Sequence, residues 1–343
     1  MSFMFLLSKF SLPSILLILL ILSKKIPQSN MNSTLAIRAA EIRQEIKKII
    51  VGQETLVEKT LIALLAGGHV ILEGVPGLAK TLFARALAAT LHVSFKRIQF
   101  TPDLMPSDLI GTNVFQPDSH TFKFLPGPIF ADILLADEIN RTPPKTQSAL
   151  LEAMEEHQAT VDGISRPLPE HFFVIATQNP IEYEGTFPLP EAQTDRFLFK
   201  IKVDYPTPAD EMTLLQSSPF SGKVEEIIQP RATAADFAII RREIEAVTID
   251  QTIYDYTLRL LTASRQSPQL ALGASPRAGR GWIKAARVLA SLRERAFITP
   301  DDIKELAYPI LRHRLVRKAE TEIEGTTVEQ VIDQLLASVE VPR

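Results

Sequence analysis

The 343-residue sequence contains no cysteine and only one tryptophan. Without cysteine the chain cannot form a disulfide, a thiolate zinc site or a cysteine nucleophile, which excludes the disulfide-stapled class of secreted proteins. The sequence also lacks an excess of one charge, since 37 Lys and Arg stand against 40 Asp and Glu, for a net charge of -3. Binding to nucleic acid or to an anionic membrane would therefore need a local basic patch. A reducing, cytoplasmic location is expected.

The N-terminal segment, residues 1–30, differs in composition from the rest of the chain. Residues 3–22 are almost wholly apolar, and two lysines follow. An inner-membrane tether is one interpretation, although Lys9 interrupts the run, which falls short of about 20 apolar residues. A signal peptide is disfavoured because no small-x-small cleavage site follows. In a third interpretation Met31 is the true start, since an amphipathic helical pattern begins just after it, at Leu35, Ile42, Ile46, Ile49 and Ile50.

Residues 31–205 alternate helical patterns with short apolar runs, as α/β domains do. The runs that predict strands are residues 69–73, 95–100, 129–136, 171–177 and 197–203. Apolar residues on both faces of such a run are typical of a parallel sheet with helices on each side. In the last run Lys200 and Lys202 alternate with apolar residues, so we expect this strand near a sheet edge, with one wetter face.

The remainder of the chain predicts helices only. Helical patterns occur at residues 209–217, 234–246, 251–265, 276–295, 300–311 and 328–338. The predicted fold class is therefore α/β, an αβα sandwich with a parallel sheet followed by a smaller all-helical domain. The predicted boundaries are 31–205 for the α/β domain, 206–230 for a proline-containing linker and 231–343 for the helical domain.

Two stretches predict β-hairpins that a minimal sheet does not need. Residues 112–125 turn around residues 117–119, and residues 158–169 turn around an Asp-Gly pair at residues 162–163. Surface insertions of this kind usually contact partners or substrates. Between the two hairpins, Thr142 is expected to cap a helix that begins with two prolines.

A glycine-containing loop connects the first predicted strand to a predicted helix at residues 81–91. Backbone N–H groups at a helix N-terminus can surround phosphates, Lys80 can meet their charge, and the Thr81 hydroxyl can bind Mg²⁺. Ala79 departs from the usual pattern, which has glycine before the lysine, and a left-handed backbone there would cost about 1 kcal/mol. The loop predicts a nucleotide-phosphate site, formed by Gly74, Val75, Pro76, Gly77, Leu78, Ala79, Lys80 and Thr81.

Asp137 and Glu138 follow a buried apolar run at the carboxyl end of a predicted strand. Ligands of open α/β sheets bind at this edge, so we expect the two acids to lie beside the phosphate loop. Asp137 would hold Mg²⁺, and Glu138 would orient or deprotonate an attacking water. Asn179 ends another strand at the same edge and could hydrogen-bond the water or the γ-phosphate, although Asn-Pro is also a common turn. Together these residues predict a P-loop ATPase.

Six motifs occur in a fixed order, namely Val51-Gly-Gln-Glu54, the loop with Glu73 before it, Gln99-Phe-Thr-Pro-Asp-Leu-Met-Pro-Ser-Asp108, Leu135-Ala-Asp-Glu-Ile-Asn-Arg-Thr142, Ala176-Thr-Gln-Asn-Pro180 and Glu191-Ala-Gln-Thr-Asp-Arg-Phe197. In this order they resemble the MoxR family of AAA+ ATPases, from about Ala36 to the C-terminus. The resemblance implies an αβα domain with a helical lid, assembled into a ring, usually a hexamer, with ATP and Mg²⁺ between neighbours. It also implies nucleotide contacts from Val51, Gly52 and the loop through Leu82, and the family accepts alanine at position 79.

The resemblance assigns three further catalytic residues. Asn179 is similar to sensor 1, and Arg196 resembles the arginine finger that enters the next subunit's site. A guanidinium at the γ-phosphate would stabilise charge that grows in the transition state, and Arg141 is a rival for this role. Arg277, in the first turn of a predicted helix, resembles sensor 2, an arginine that contacts the γ-phosphate from the same subunit. Two other arginines, Arg280 and Arg287, lie close to it in sequence.

What the resemblance implies about function is chaperone-like remodelling or maturation of protein partners, often proteins with von Willebrand factor A domains. Two alternatives remain open. A nucleic-acid motor is disfavoured because the hairpins carry few basic residues, chiefly Lys123 and Arg166. A non-hydrolysing, nucleotide-gated scaffold would lack a catalytic acid or a finger, and both Glu138 and Arg196 are present.

Overall fold

The structure is a computed structural model that describes residues 33–180, 187–216 and 223–342. The apolar N-terminal segment and the question of Met31 as the true start lie outside these residues. Within the described ranges, no helix is both long enough and apolar enough to cross a membrane.

The first part of the chain alternates helices with strands, as predicted. Ser33 is the N-cap of helix α1, and its hydroxyl accepts a hydrogen bond from the Ala36 N–H; the helix buries the predicted face through Leu35, Ile42 and Ile46. In chain order the elements are α1 (Thr34–Lys47), α2 (Glu54–Leu65), β1 (Val70–Glu73), α3 (Lys80–Leu91), β2 (Phe95–Gln99), α4 (Pro106–Ile110), β3 (Gly111–Gln116), β4 (Thr121–Pro126), a 3₁₀ turn (Pro128–Phe130) and β5 (Ile133–Asp137).

The next elements complete the α/β domain and connect it to the lid. They are a 3₁₀ turn (Ile139–Arg141), α5 (Pro144–Glu156), β6 (Gln158–Val161), β7 (Ile164–Pro167), β8 (Phe173–Gln178), α6 (Glu191–Thr194), β9 (Phe199–Lys202), α7 (Pro208–Gln216) and α8 (Val224–Ile227). The last two lie in the predicted linker, residues 206–230, so that segment contains short helices.

The lid is helical, as predicted, and also contains a short pair of strands that the sequence did not suggest. Its elements are α9 (Ala234–Ala246), α10 (Gln251–Gln266), β10 (Leu270–Leu272), α11 (Pro276–Leu292), α12 (Pro300–Leu311), β11 (Val316–Arg317), α13 (Ala319–Ile323) and α14 (Val328–Ser338). Strands β10 and β11 pair antiparallel. The single tryptophan, Trp282, is fully buried and donates its ring N–H to the Ile303 carbonyl at 2.8 Å, which ties α11 to α12.

A five-stranded parallel sheet forms the centre of the α/β domain, in the order β2-β5-β8-β1-β9. Alternate residues of its central strands enter two different hydrophobic clusters: Leu72 and Leu135 pack with α1, α2, α3 and the lid, whereas Ile71 and Leu134 pack under α4 and α5. Both faces are therefore covered, which explains the continuous apolar runs. Strand β9 lies at the sheet edge and alternates buried with more exposed residues, as predicted.

The two predicted hairpins are confirmed as β3–β4 and β6–β7. Two local predictions were wrong. Residues 129 and 130 belong to a 3₁₀ turn rather than to strand β5, because Pro128 fixes its φ and has no N–H for a ladder. Thr142 does not cap α5; Pro143 occupies the N-cap position without a side-chain hydrogen bond, and Thr142 is fully buried one residue earlier.

Candidate functional site

The loop between β1 and α3 has the backbone of an anion-binding site. Gly77 has φ +90°, and a Cβ added to it would meet no atom within 4 Å, so the space above this residue is open. Ala79 has φ +54° at the N-cap of α3, the left-handed conformation anticipated for it. That strain costs about 1–2 kcal/mol for an L-residue. The loop thus leaves open space beside Gly77, just before the N-terminus of α3, where backbone N–H groups favour an anion.

Lys80 is the charged residue of this loop. Its ammonium donates a hydrogen bond to the Gly74 carbonyl, so the side chain folds back along the loop. Partial burial lowers the pKa of Lys80, and the nearby charges of Asp137, Glu138 and Glu73 oppose this shift. The structure therefore brings Lys80 together with the acidic pair, as the sequence predicted.

Asp137 is held by hydrogen bonds at both carboxylate oxygens. Its Oδ1 accepts from the Thr177 hydroxyl at 2.6 Å. Its Oδ2 accepts from Arg97 Nε at 3.1 Å and Nη2 at 2.7 Å. The same Thr177 hydroxyl accepts the Glu138 backbone N–H at 2.8 Å, so one side chain of β8 positions both members of the pair.

Glu138 has a left-handed backbone, with φ +57°, which directs the chain sharply out of strand β5. Its Oε2 accepts a hydrogen bond from Gln99 Nε2 at 2.7 Å and lies 3.1 Å from Arg141 Nε. Strain of this kind persists where the surrounding structure fixes it and is common at functional sites. The candidate general base is thus fixed by partners from β2 and from the turn after β5.

The chemistry of these residues fits Mg²⁺ and a nucleotide. Thr81 and Asp137 offer hydroxyl and carboxylate oxygens, which a hard cation prefers. Among the described residues no group of three or more acids or histidines could hold a metal alone, so an ion here would draw its remaining ligands from phosphate and water. The open space at Gly77 and the N-terminus of α3 match the phosphates.

Three predicted residues, Asn179, Val51 and Gly52, lie at the margin of the site. Asn179 follows β8 directly, at the carboxyl edge of the sheet. The Val51–Gly52 loop packs on the segment after β9: a Cβ added to Gly52 would lie 2.7 Å from Asp210 Oδ2, and Gln53 Nε2 donates to the Asp204 carbonyl at 3.0 Å. This loop therefore lies at the carboxyl edge of the sheet, in contact with the start of the predicted linker.

The two arginines predicted to be catalytic lie together at the opposite, amino edge of the sheet. Arg196 Nε is 3.0 Å from Glu155 Oε2, and Arg277 Nη2 is 2.6 Å from Glu155 Oε1. Helix α5 starts soon after the acidic pair and runs for 13 residues, about 20 Å, so that Glu155 lies in its last turn. His157, just after this helix, has its ring centroid 6.5 Å from that of His69, which precedes β1. Arg277 in this arrangement lies away from the loop of its own chain.

A buried arginine fixes the backbone beside Arg196. Arg314 is 5% exposed; its Nε donates to Asp195 Oδ1 at 2.6 Å and its Nη1 to the Leu198 carbonyl at 3.0 Å. Ser275, which caps α11 by accepting from the Ala278 N–H, donates to the other oxygen of Asp195 at 2.9 Å. Through Arg314 and Ser275 the lid therefore fixes the segment before β9 that contains Arg196. The lid also places Arg277 beside Arg196.

Comparison with known proteins decides the family. The model of the ATPase family associated with various cellular activities (AAA) matches residues 69–199, and the AAA lid domain model matches residues 262–335. The uncharacterised protein YeaC of Bacillus subtilis is 46% identical over 299 residues, 87% of this chain and 93% of that protein. Chaperone MoxR1 of Mycobacterium tuberculosis is 44% identical over 308 residues, 87% of this chain and 81% of that protein. The chain belongs to the MoxR family of AAA+ ATPases.

A solved structure supports the fold of this MoxR-family chain. The crystal structure of a proposed ATPase from Cytophaga hutchinsonii matches with a TM-score of 0.83 and 41% identity, over 90% of this chain and 96% of that one. The parallel sheet followed by a helical lid is therefore the family's fold.

The rival arginines lie elsewhere in the MoxR-family structure. Arg141 contacts Glu138 in its own site and so lies at the carboxyl edge. Arg280 lines an apolar groove of the lid with Leu258, and Arg287 lines the cleft between lid and sheet with Phe237. Only Arg277 of these lid arginines shares a carboxylate with Arg196.

Sequence reasoning missed four side chains of the MoxR-family site. Gln99 ends strand β2 in register with Asp137, and a polar residue at that strand end was a signal that could have found it. Thr177 is a polar residue inside a buried apolar run, which was a similar signal. The sequence gives no signal for Arg97 or Glu155, because charged residues on the surface of a strand or helix are common.

Proposed function

We propose that this MoxR-family chain hydrolyses ATP with Mg²⁺ at a site shared between two subunits of a ring, and that hydrolysis drives remodelling of protein partners. One observation carries the proposal: within a single chain the phosphate loop and acidic pair lie at one edge of the sheet, and the two arginines lie at the other. A complete site then needs the arginine edge of a second copy.

The roles follow from the geometry at the carboxyl edge. Lys80 and the N-terminus of α3 bind the β- and γ-phosphates, and Thr81 and Asp137 hold Mg²⁺, which when bound neutralises phosphate charge. Glu138 orients and deprotonates the attacking water, and Asn179 helps to position it. Since each of these groups follows a strand of one rigid sheet, their relative positions are set before the substrate binds.

Arg196 supplies the missing positive charge from the neighbour. A guanidinium against the γ-phosphate stabilises charge that grows in the transition state, an effect of about 10³-fold or more in related phosphoryl transfers. Arg277 would enter the same neighbouring site, because it shares Glu155 with Arg196. This arrangement supports a sensor that acts between subunits rather than within one. A hexameric ring is the expected assembly for this family.

The two hairpins are the proposed contacts for a protein client. Phe122 is 71% exposed and Phe115 is 47% exposed on β3–β4, and their ring centroids are 5.4 Å apart. The second hairpin packs against the first. The Arg166 guanidinium carbon lies 3.8 Å from the ring centroid of Phe124, and Asn113 Nδ2 donates a hydrogen bond to Asp162 Oδ2 at 2.7 Å. Exposed aromatics with little positive charge suit an unfolded or apolar protein segment better than a polyanion. A relative named chaperone MoxR1 supports the same class of client.

Two substitutions test hydrolysis. Lys80→Ala should abolish nucleotide binding, whereas Glu138→Gln should keep binding and lower turnover by about 100-fold or more. Turnover in Glu138→Gln equal to wild type would refute the assigned base.

Mixing tests the shared site. Arg196→Ala subunits bind ATP but lack the finger, and Lys80→Ala subunits carry the finger but cannot bind ATP. Mixed assemblies should regain hydrolysis that neither variant shows alone. No recovery at any ratio would refute a site shared between subunits.

Client class is tested by stimulation of hydrolysis. Casein, as an unfolded protein, should stimulate the ATPase, and Phe122→Ser should remove the effect while Ile323→Ser, 86% exposed on the lid, should not. Stimulation by single-stranded DNA that falls steeply with salt would instead favour a nucleic-acid motor.

A further inference from the structure

One carboxylate joins the two arginines. Glu155 Oε2 lies 3.0 Å from Nε of Arg196, and Oε1 lies 2.6 Å from Nη2 of Arg277. Arg196 comes from the α/β domain and Arg277 from the lid, so Glu155 also links the two domains. No sequence motif of the family singled out this residue.

The atoms used in this contact matter. A guanidinium has five N–H donors, and Glu155 engages Arg196 through Nε. The closest contact is therefore at Nε and not at the two terminal amino groups, which form the fork that binds phosphate oxygens best. A contact at Nε can orient the finger from the side opposite the substrate-binding end of the guanidinium.

Stability explains only weakly why an acid stands here. The Glu155 side chain is 36% exposed, and ion pairs at such sites contribute at most about 1 kcal/mol. It also lies in the last turn of α5, where a negative charge interacts unfavourably with the helix dipole by about 0.3–1 kcal/mol. Two such pairs less the dipole cost leave a net contribution of at most about 1–2 kcal/mol, so stability gives only a weak reason for an acid at this position.

We propose that Glu155 is a positioning residue that holds Arg196 and Arg277 as one unit, so that the lid of one subunit sets the finger presented to its neighbour. The inference rests on the proposed site shared between subunits. Asp195 has a different task, because its partners Arg314 and Ser275 fix the backbone of the segment rather than the guanidinium of Arg196. If the lid moves, Glu155 carries that movement to the finger.

The test uses the two-component assemblies described above, with Lys80→Ala subunits as finger donors and Arg196→Ala subunits as recipients. Glu155→Gln added to the donor should lower kcat by about tenfold or more and change the KM for ATP by less than about twofold. The same substitution added to the recipient, which has no finger to position, should leave the rate within about twofold of the parent mixture. A structural role would not distinguish donor from recipient.

A neighbouring acid provides the matched control. Glu156→Gln makes the same charge change one residue later on an exposed side chain and should leave the donor active. Equal losses in donor and recipient, faster hydrolysis with Glu155→Gln in the donor, or no change there would each overturn the role of Glu155. An inactive mixture of Lys80→Ala and Arg196→Ala subunits would refute the shared site itself. An active mixture in which Glu155→Gln has no effect would refute only the role of Glu155.

Discussion

The two edges of the sheet differ in how they are built. At the carboxyl edge the candidate site residues lie at the ends of strands β5 and β8 or in the loop and helix start after β1, so each lies inside a contiguous motif. At the amino edge Glu155, Arg196 and Arg277 come from a helix end, a strand entry and the lid. Sites at strand ends follow from local sequence, whereas the second kind of site exists only after two domains have packed.

The edges also differ in burial. Arg314 and His69 are buried at the amino edge and His313 is half-buried, whereas Asp137 and Glu138 are partly buried and pair with the more exposed Arg97 and Arg141. Burial of a charge or a histidine makes it costly to leave without partners. We therefore expect substitutions of the buried residues at the amino edge to reduce stability, and substitutions of Asp137 or Glu138 at the carboxyl edge to reduce activity.

The largest effect on stability is expected for Arg314→Leu. It leaves the Asp195 carboxylate without its buried partner and removes donors from the Leu198 and Phe197 carbonyls, at a cost of about 3–5 kcal/mol. Urea unfolding measures this loss. Arg317→Leu is the control, because its pair with the more exposed Glu322 should cost about 1 kcal/mol or less. Similar losses for the two variants would contradict the difference between buried and exposed pairs.

Asp137→Asn should separate activity from stability. Hydrolysis should fall by about 100-fold or more, because the neutral side chain binds Mg²⁺ poorly. The free energy of unfolding should change by about 1 kcal/mol or less, since the partner Arg97 is 47% exposed and its charge stays solvated. Asp132→Asn, at the other end of the same strand, removes a charge whose side-chain hydrogen bonds, within the described ranges, come from Ser94 alone, and it should leave hydrolysis intact. Equal activity losses in the two variants would remove the special role of the carboxyl edge.

Lowering the pH below 6.5 should reduce the free energy of unfolding through the histidines at the amino edge. Burial lowers the pKa of His69 to about 4 and lowers the pKa of His313 well below its usual value. The unfolded chain binds these protons from pH 6.5 downward and the folded chain does not, so stability is complete above pH 6.5 and falls as pH drops. For His69 the loss at pH 5 is about 2 kcal/mol.

Urea unfolding at pH 7 and pH 5 measures this dependence. His69→Gln should reduce the loss of stability between these two pH values, whereas His120→Asn, at an exposed hairpin tip, should not. An unchanged loss in His69→Gln would show that this histidine does not drive it.

The smallest effect concerns the strained alanine of the phosphate loop. Ala79→Gly relieves about 1 kcal/mol of left-handed strain, which the greater freedom of the unfolded chain offsets by about 0.4–1 kcal/mol. The free energy of unfolding should therefore stay constant or rise slightly. Ala89→Gly, within the right-handed turns of the same helix, should lower it by about 1 kcal/mol. The same sign for both variants would contradict the strain at Ala79.

Much of the carboxyl edge could be predicted because its signals are local. The predicted strands 69–73, 129–136 and 171–177 are expected to end at one edge, and the sheet confirms this through the pairing of Glu73 with Gln178. Gln99 and Thr177 lie in two of the six motifs, at strand ends, but the sequence does not show that their side chains contact Glu138 and Asp137. The catalytic assignments of Glu138, Asn179, Arg196 and Arg277 stay predictions until the variants are measured.

Local sequence patterns predict the family, the order of the strands and helices along the chain, the two hairpins and the candidate phosphate loop with its acidic pair, because each element or motif depends on neighbours within a few residues. Tertiary packing sets the strand order in the sheet, the contacts of Arg314 with Asp195 and the meeting of Arg196 with Arg277 at Glu155. The ion pairs join residues about 40 to 120 positions apart, so their attraction acts only after the chain has folded, and the pairs of Arg277 and Arg314 also require the lid to pack on the sheet.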